Sequence, residues 1–165
     1  MKWIYGKQDF KTLSRGQENC YLLTNGLGGF SSLTMTGSVT RNDHALLMAC
    51  TKAPNHRYNL IHRLKEEIRI GEEKQILSAQ EFADGTKEEG YQHLSAFYFE
   101  DTPVWRWETK GVRIRKEIGM AQLENTVAVV YEMKNQSLFD AELVVTPFLQ
   151  FVRKGEDLTE EQVFE

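Results

Sequence analysis

The sequence is poor in the features that mark membrane, secreted and nucleic-acid-binding proteins. Its 165 residues include only three prolines and two cysteines, and the start, MKWIYGKQDF, lacks the apolar stretch of a signal peptide. No apolar run approaches the roughly 18 residues that a membrane-spanning helix needs. The net charge of −4 gives no electrostatic reason to expect nucleic acid or an anionic membrane as a partner. We therefore predict a cytoplasmic protein that binds neither.

Cysteine and histidine form no metal-binding or catalytic pattern. Cys20 and Cys50 lie thirty residues apart without a CxxC spacing, which favours two separate buried thiols over a disulfide or a metal pair. The four histidines show neither HxH nor HxxxH spacing. Because GxSxG and GK[ST] are also absent, neither a nucleophile elbow nor a P-loop is predicted. We expect no metal, no cofactor and no catalytic residue in this chain.

Alternation of apolar and polar residues dominates the second half of the chain. Four segments with this period of two are separated by short turn signals: 104–109, 111–118, 125–133 and 141–151. Pro147, in the last of them, marks an edge, a bulge or a strand end. Strand-like runs that recur without intervening helices predict an all-β fold, mostly antiparallel, with the architecture of a β-sandwich.

An earlier part of the chain is harder to assign. The segment 68–77 (IRIGEEKQIL) predicts a hairpin. In the overlapping segment 59–70 (NLIHRLKEEIRI), Leu64 and Ile68 have helical spacing, while Ile68 and Ile70 alternate as in a strand. Periodicity alone leaves helix and strand open there.

The most unusual stretch is LLTNGLGGF, which contains Gly26, Gly28 and Gly29. A dinucleotide-binding fingerprint needs a third glycine at the start of a helix, but Ser31 stands there and SSLTMTGSVT follows, which is poor in helix formers. A turn or bulge between two strands fits this composition, and we predict that at least one of the glycines has φ > 0.

The surrounding segment resembles a known family. CYLLTNGLGGFSSLTMTGSVTRNDHALLMAC is similar to the N-terminal domain of bacterial and archaeal glycogen debranching enzymes, the amylo-α-1,6-glucosidase family. In that family TNGLGG is followed at a fixed distance by a threonine–arginine pair and a histidine, which are Thr40, Arg41 and His44 here. The likeness continues through RLKEEIRIG, GYQHLSAFYFEDTPVWRWE and RKEIGMAQLENTVAVVYEM, and spans about residues 19–158. The chain departs from the pattern at Asn42 and Asp43, where arginine and tyrosine are usual.

The resemblance implies a fold and a role. The family's N-terminal domain is a large, supersandwich-like β-sandwich that packs on a helical (α/α)6 barrel, and the barrel carries the acids for α-1,6-glucoside hydrolysis. The 165 residues contain no such barrel. We therefore expect 1–165 to be a single, shortened sandwich domain that is inactive alone. Its implied partners are an α-glucan or maltooligosaccharide and a helical catalytic domain or subunit. The alternatives are a stand-alone α-glucan-binding module and a scaffold that pairs through an exposed sheet edge.

Two groups of residues are candidates for contact with carbohydrate. The polar group, which we expect to form one exposed patch beside the glycine turn, comprises Asn25, Gly28, Gly29, Thr40, Arg41 and His44. A structural tie between Arg41 and Asp43, or between Arg41 and Asn25, explains the charged members equally well. The second group is Trp105 and Trp107, whose rings suit the faces of pyranoses, although their alternation on one side of a strand favours a place in the core.

Acidic pairs offer no second active-site candidate. Glycoside hydrolysis needs two carboxyl groups about 5 Å or about 6.5–9.5 Å apart. The adjacent acids are Glu66-Glu67, Glu72-Glu73 and Glu88-Glu89. Neighbours in a strand point to opposite faces, so such pairs do not flank one substrate bond. We interpret them as solvated residues of strand edges and turns.

Overall fold

The computed structural model describes residues 2–156 and 159, and antiparallel strands form most of them. In chain order the strands are β1 (Trp3–Gly6), β2 (Leu23–Thr24), β3 (Phe30–Ser32), β4 (Ala45–Lys52), β5 (His56–Ile70), β6 (Glu73–Ile76), β7 (Ala79–Glu81), β8 (Lys87–Glu89), β9 (Leu94–Phe99), β10 (Pro103–Thr109), β11 (Val112–Met120), β12 (Val127–Asn135) and β13 (Ala141–Arg153). The helical elements are α1 (Leu13–Gly16) and two 3₁₀ turns, at Lys7–Phe10 and Gly90–His93. No helix within these residues is long and apolar enough to cross a membrane.

Two sheets make the sandwich. The first has the order β1-β9-β10-β11-β12, and the second has the order β13-β5-β4-β3-β2, with β6 added beside β5. β7 and β8 form a separate two-stranded ribbon. The prediction of an all-β, mostly antiparallel fold is confirmed. The four alternating segments correspond to β10, β11, β12 and β13. The last of these, β13, does not pair with β12 but with β5 in the other sheet.

The ambiguous segment is a strand. It belongs to β5, which runs for 15 residues between β4 and β13. Three consecutive residues of β5, 66–68, are buried, so the alternation that marks a half-exposed strand is lost there. The predicted hairpin is present and joins β5 to β6. Its turn contains Gly71, which has φ = 57°. Pro147 lies in β13, an edge strand, next to an irregularity in the pairing at Phe148.

The core lies between the sheets and is rich in aromatic rings. Trp105 and Trp107 of β10 are 0% and 3% exposed. The ring of Trp105 makes edge contacts with Tyr21 and Phe97 at centroid distances of 5.5 and 5.1 Å. Its indole N–H donates to the carbonyl oxygen of Met35 at 2.8 Å. Both tryptophans are core residues whose rings are enclosed by protein, so they do not offer a face to a sugar.

The acidic pairs are not all solvated. Three of their members are buried: Glu66, Glu67 and Glu88. Glu66 accepts from Lys116 Nζ at 2.5 Å, and Glu88 accepts from both terminal nitrogens of Arg63 at 2.8 and 3.3 Å. The solvated interpretation is therefore wrong for these residues. Glu67 has a cationic partner too, Lys74 Nζ at 2.6 Å, and such partners compensate for the lost water.

The sandwich is least covered along β12 and β13, the outer strands of the two sheets. Among the described residues, most of the large apolar side chains that remain exposed lie here: Val130, Met133, Leu138, Phe139, Val145, Phe148, Leu149 and Phe151. Leu138, in the connection between the strands, is 98% exposed. We call this surface the apolar edge. Sheet edges are usually protected by charges or by a covering segment, so this number of exposed apolar side chains is unusual for a sheet edge.

Candidate functional site

The glycine stretch forms the turn between β2 and β3. Gly26 and Gly28 have φ values of 77° and 96°, which confirms the predicted left-handed backbone. The side-chain oxygen of Asn25 accepts from the backbone N–H groups of Leu27 and Gly29 at 3.0 and 2.9 Å. Asparagine is suited to such turns because its short side chain replaces a backbone acceptor.

Asn25 is fully buried, so its predicted place on an exposed patch is wrong. Its amide nitrogen donates to the carbonyl oxygen of Glu124 at 2.8 Å and to Asn125 Oδ1 at 3.1 Å. Asn125 in turn exchanges two hydrogen bonds, each of 2.9 Å, with the main chain of Cys50 in β4. Because these bonds and those of the turn use the hydrogen-bonding capacity of the Asn25 amide, the side chain holds the turn and offers nothing to a ligand.

His44 is also buried, and it positions Arg41. The ring nitrogen Nε2 lies 2.9 Å from Arg41 Nη2, and the backbone N–H of Thr40 points at Nδ1 from 3.1 Å. Burial lowers the pKa of His44, and the positive charge of Arg41 lowers it further. A protonated ring is disfavoured because both nitrogens face donors. Arg41 also lies 3.5 Å from Asp43, so the structural tie considered from the sequence is present.

Thr40 and Arg41 are exposed and line an open groove of about 610 Å³, which we call the polar groove. Amides and an imidazole dominate the rest of the lining: Gln17, Asn42, His62, Gln80 and Gln150. Gln80 is fixed by two hydrogen bonds of 2.9 Å with the main chain of Val39. Burial, followed by the charge of Arg63, lowers the pKa of His62, which favours the neutral ring. Its Nδ1 is hydrogen-bonded to the amide nitrogen of Asn59 at 3.0 Å, so Nε2 is the atom that remains for a ligand.

A second depression lies beside the glycine turn. It has a volume of about 440 Å³, shares Arg41 with the polar groove, and is lined by Gly28, Gly29, Phe30, Arg57 and Lys154 among others. Arg57 Nε donates to the carbonyl oxygen of Gly28 at 2.6 Å. We call it the basic groove. Both candidate glycines, Gly28 and Gly29, therefore line a surface depression, as does Gly26.

A third depression, which we call the ring pocket, is small and aromatic. It has a volume of about 280 Å³ and is lined by Trp3, Tyr5, Phe97 and Phe99, with Asn19 at its polar side. Cys20 and Leu22 line both this pocket and the basic groove, so the three depressions are contiguous. Sequence reasoning missed the ring pocket because β1 is a four-residue strand and only the spacing of Trp3 and Tyr5 indicates it.

The tryptophans lie outside these surfaces, and the cysteines form no metal site with the other described residues. Trp105 and Trp107 stay in the core. Cys50 is buried as expected, whereas Cys20 is exposed, with its sulfur 3.2 Å from Arg41 Nη2. Within residues 2–156 and 159, no three His, Cys, Asp or Glu side chains gather closely enough to hold a metal ion.

Comparison with known proteins identifies one family. The protein-family model described as glycogen debranching enzyme N terminal matches residues 19–165, which is nearly the whole chain. No curated protein and no solved structure matches the chain. The matched segment begins after α1, so the part of the chain that forms β1 lies outside it.

Proposed function

The chain belongs to the glycogen debranching enzyme N-terminal family, and we propose that it is a non-catalytic domain that supports or extends an α-glucan site. The polar groove carries this proposal, because the family's threonine–arginine pair, Thr40 and Arg41, forms part of its wall. In this proposal residues 1–165 are one cytoplasmic β-sandwich domain. The hydrolysis of α-1,6-glucosides takes place on a separate helical (α/α)6 domain or subunit.

The grooves have the chemistry that a glucan needs. Sugar hydroxyls both donate and accept, and the amides and the hydroxyl of the polar groove do the same, while His62 adds its Nε2. Pyranose C–H faces pack on aromatic rings, and Trp3 in the ring pocket is 52% exposed. Trp3 and Tyr5 are therefore better candidates for glucan contact than the buried Trp105 and Trp107.

The buried acids support a non-catalytic role. Glu66 and Glu88 are each engaged by a buried cation, Lys116 and Arg63 respectively. A catalytic carboxyl group must lie beside the glycosidic bond, whereas these two are buried against cations. We expect the isolated chain to release no glucose from a branched limit dextrin.

The apolar edge suits the proposed helical partner. Leu138 and Phe139 are 98% and 63% exposed and lie where β12 passes into β13. Apolar surface of this kind is costly in water, and a packed domain would remove it. The same surface favours the second candidate function, a scaffold that pairs through its edge. A stand-alone α-glucan-binding module would use the polar groove without covering the edge.

Titration with maltotetraose tests the proposal. We expect the chain to bind it, and Thr40→Val to weaken binding at least fivefold because one hydroxyl contact is lost. Thr146→Val, at an exposed position on β13, is the matched control and should leave binding unchanged. No heat signal and no chemical-shift change at millimolar maltotetraose would contradict glucan binding and leave the scaffold as the better function.

A further inference from the structure

The basic groove carries an excess of positive charge. Its charged lining residues are Arg41, Arg57 and Lys154, with Asp43 as the carboxylate. Arg57 and Lys154 lie 6.0 and 5.9 Å from the ring centroid of Phe30. Within residues 2–156 and 159 neither cation has a carboxylate in ion-pair contact, whereas Arg41 is offset by Asp43. The chain as a whole is acidic, with a net charge of −4. Two cations that share one ring, and that have no ion-pair partner among the described residues, favour an anionic ligand.

The surrounding backbone fixes this arrangement. Arg57 gives its Nε–H to the carbonyl of Gly28, which leaves the terminal guanidinium nitrogens for a ligand. The backbone N–H of Lys154 donates to the carbonyl of Arg57 at 2.8 Å, so the two cations start from neighbouring positions. A Cβ at residue 28 would lie 2.9 Å from the carbonyl oxygen of Pro54 and 3.6 Å from Arg57 Nη2. Glycine there lets the turn and the guanidinium approach closely.

We propose that the basic groove binds the phosphate ester of a sugar, so that the α-glucan site accepts a phosphorylated glucose unit. A phosphomonoester carries a charge of about −1.5 to −2 at pH 7, which two cations match. A guanidinium binds phosphate through two parallel hydrogen bonds, and an ammonium adds a point charge. Arg41 lines both grooves, so a phosphate in one adjoins hydroxyls in the other. This inference rests on the proposed function.

Calorimetric titration of the full chain with glucose 6-phosphate, glucose and inorganic phosphate tests it. At about 50 mM salt, where charge interactions act over roughly 10 Å or more, we expect glucose 6-phosphate to bind at least tenfold more tightly than glucose. Lys154→Gln should weaken glucose 6-phosphate binding at least fivefold. Lys134→Gln, the same charge change at an exposed position on β12, is the matched control and should have no effect. Arg57 is left intact because it also holds the turn.

The outcomes separate this inference from the proposed function. Equal affinity for glucose 6-phosphate and glucose, or equal effects of Lys154→Gln and Lys134→Gln, would overturn the phosphate site. Inorganic phosphate that binds as tightly as the sugar phosphate would also overturn it, because the sugar would then contribute nothing. Maltotetraose is titrated in parallel. Its failure to bind would count against the glucan site, whatever the phosphate ligands do.

Discussion

Two polar clusters join the two sheets, one a buried ion pair and the other a pair of amides of which Asn25 is buried and Asn125 is exposed. In the middle of the sandwich, Glu66 of β5 meets Lys116 of β11, and both side chains are 4% exposed. Tyr131 of β12 donates to the same carboxylate oxygen at 2.9 Å. At one end, the neutral amides of Asn25 and Asn125 link the glycine turn to the connection between β11 and β12. One cluster depends on charge and the other on amide geometry.

The difference lies in what happens when one member is lost. A buried charge that loses its partner destabilises the fold by its full desolvation free energy, whereas an unpaired amide or backbone group destabilises it by less. The surroundings of Tyr131 show the strength of the charged environment, because burial and then the charge of Glu66 raise the pKa of its hydroxyl. We therefore expect the central cluster to be the more sensitive of the two.

Removing the cation from the central cluster should have the largest effect. Lys116→Met leaves the Glu66 carboxylate buried and without its cation, and we expect the free energy of unfolding to fall by about 3–5 kcal/mol at pH 7. Urea denaturation of the variant and of the wild type measures this difference. The double variant Glu66→Leu/Lys116→Met, which removes both charges, should recover most of the loss.

An exposed ion pair provides the control for that experiment. Lys110 pairs with Glu73 while both side chains remain largely exposed. Lys110→Met should change stability by about 1 kcal/mol or less. If Lys116→Met cost no more than Lys110→Met, the central charges would not govern the stability of the sandwich.

Loss of the amide cluster should cost less. Asn25→Ala removes the acceptor for the backbone N–H groups of Leu27 and Gly29 and the donor to the β11–β12 connection. We expect a loss of about 2–3 kcal/mol, since some of the released groups regain water. Thermal unfolding followed by circular dichroism measures it. Asn55→Ala, at an exposed turn position, is the control. If Asn25→Ala lost no more stability than Asn55→Ala, the role of Asn25 would be contradicted.

The backbone of the turn contributes separately. Gly28→Val places a side chain at φ = 96° and within 2.9 Å of the Pro54 carbonyl oxygen, whereas Gly37→Val meets φ = 77° with nothing within 4 Å. A side chain at such a φ value alone costs about 1–2 kcal/mol. The free energy of unfolding should therefore fall by about that amount in Gly37→Val and by about 1 kcal/mol more in Gly28→Val. Denaturation midpoints compare them. Equal losses would show that only φ matters at residue 28.

These clusters also show how far the sequence predicts the structure. The glycine turn and β10 to β13 follow from local patterns, because turn chemistry and alternation depend on adjacent residues. The Glu66–Lys116 pair has no local signal, since its members are 50 positions apart and meet only when the sheets stack. The glycine turn and the family spacing predict Asn25 on an exposed patch, but the partners that bury it come from the β11–β12 connection, which no local pattern indicates. Thr40 and Arg41 remain candidates because of the family motif. The ring pocket could not be predicted without the pairing of β1 with β9, which brings its rings together.

The smallest effect should be a pH dependence that originates at His44. Burial and Arg41 lower its pKa in the folded protein, while the unfolded chain has the ordinary value of about 6.5. As the pH falls below that value, the unfolded state binds more protons than the folded state, so stability is lost by at most about 1.4 kcal/mol per pH unit for this residue. His62 and His93 have lowered pKa values too and act in the same direction, so the variants must be compared with the wild type.

Urea denaturation between pH 7.5 and pH 5 should show a shallower loss of stability in His44→Gln than in the wild type. Arg41→Gln should give an intermediate slope, because burial still lowers the pKa of His44 after the nearby positive charge is removed. If all three proteins lost stability in parallel, His44 would not carry the proton linkage, and its role would be confined to the orientation of Arg41.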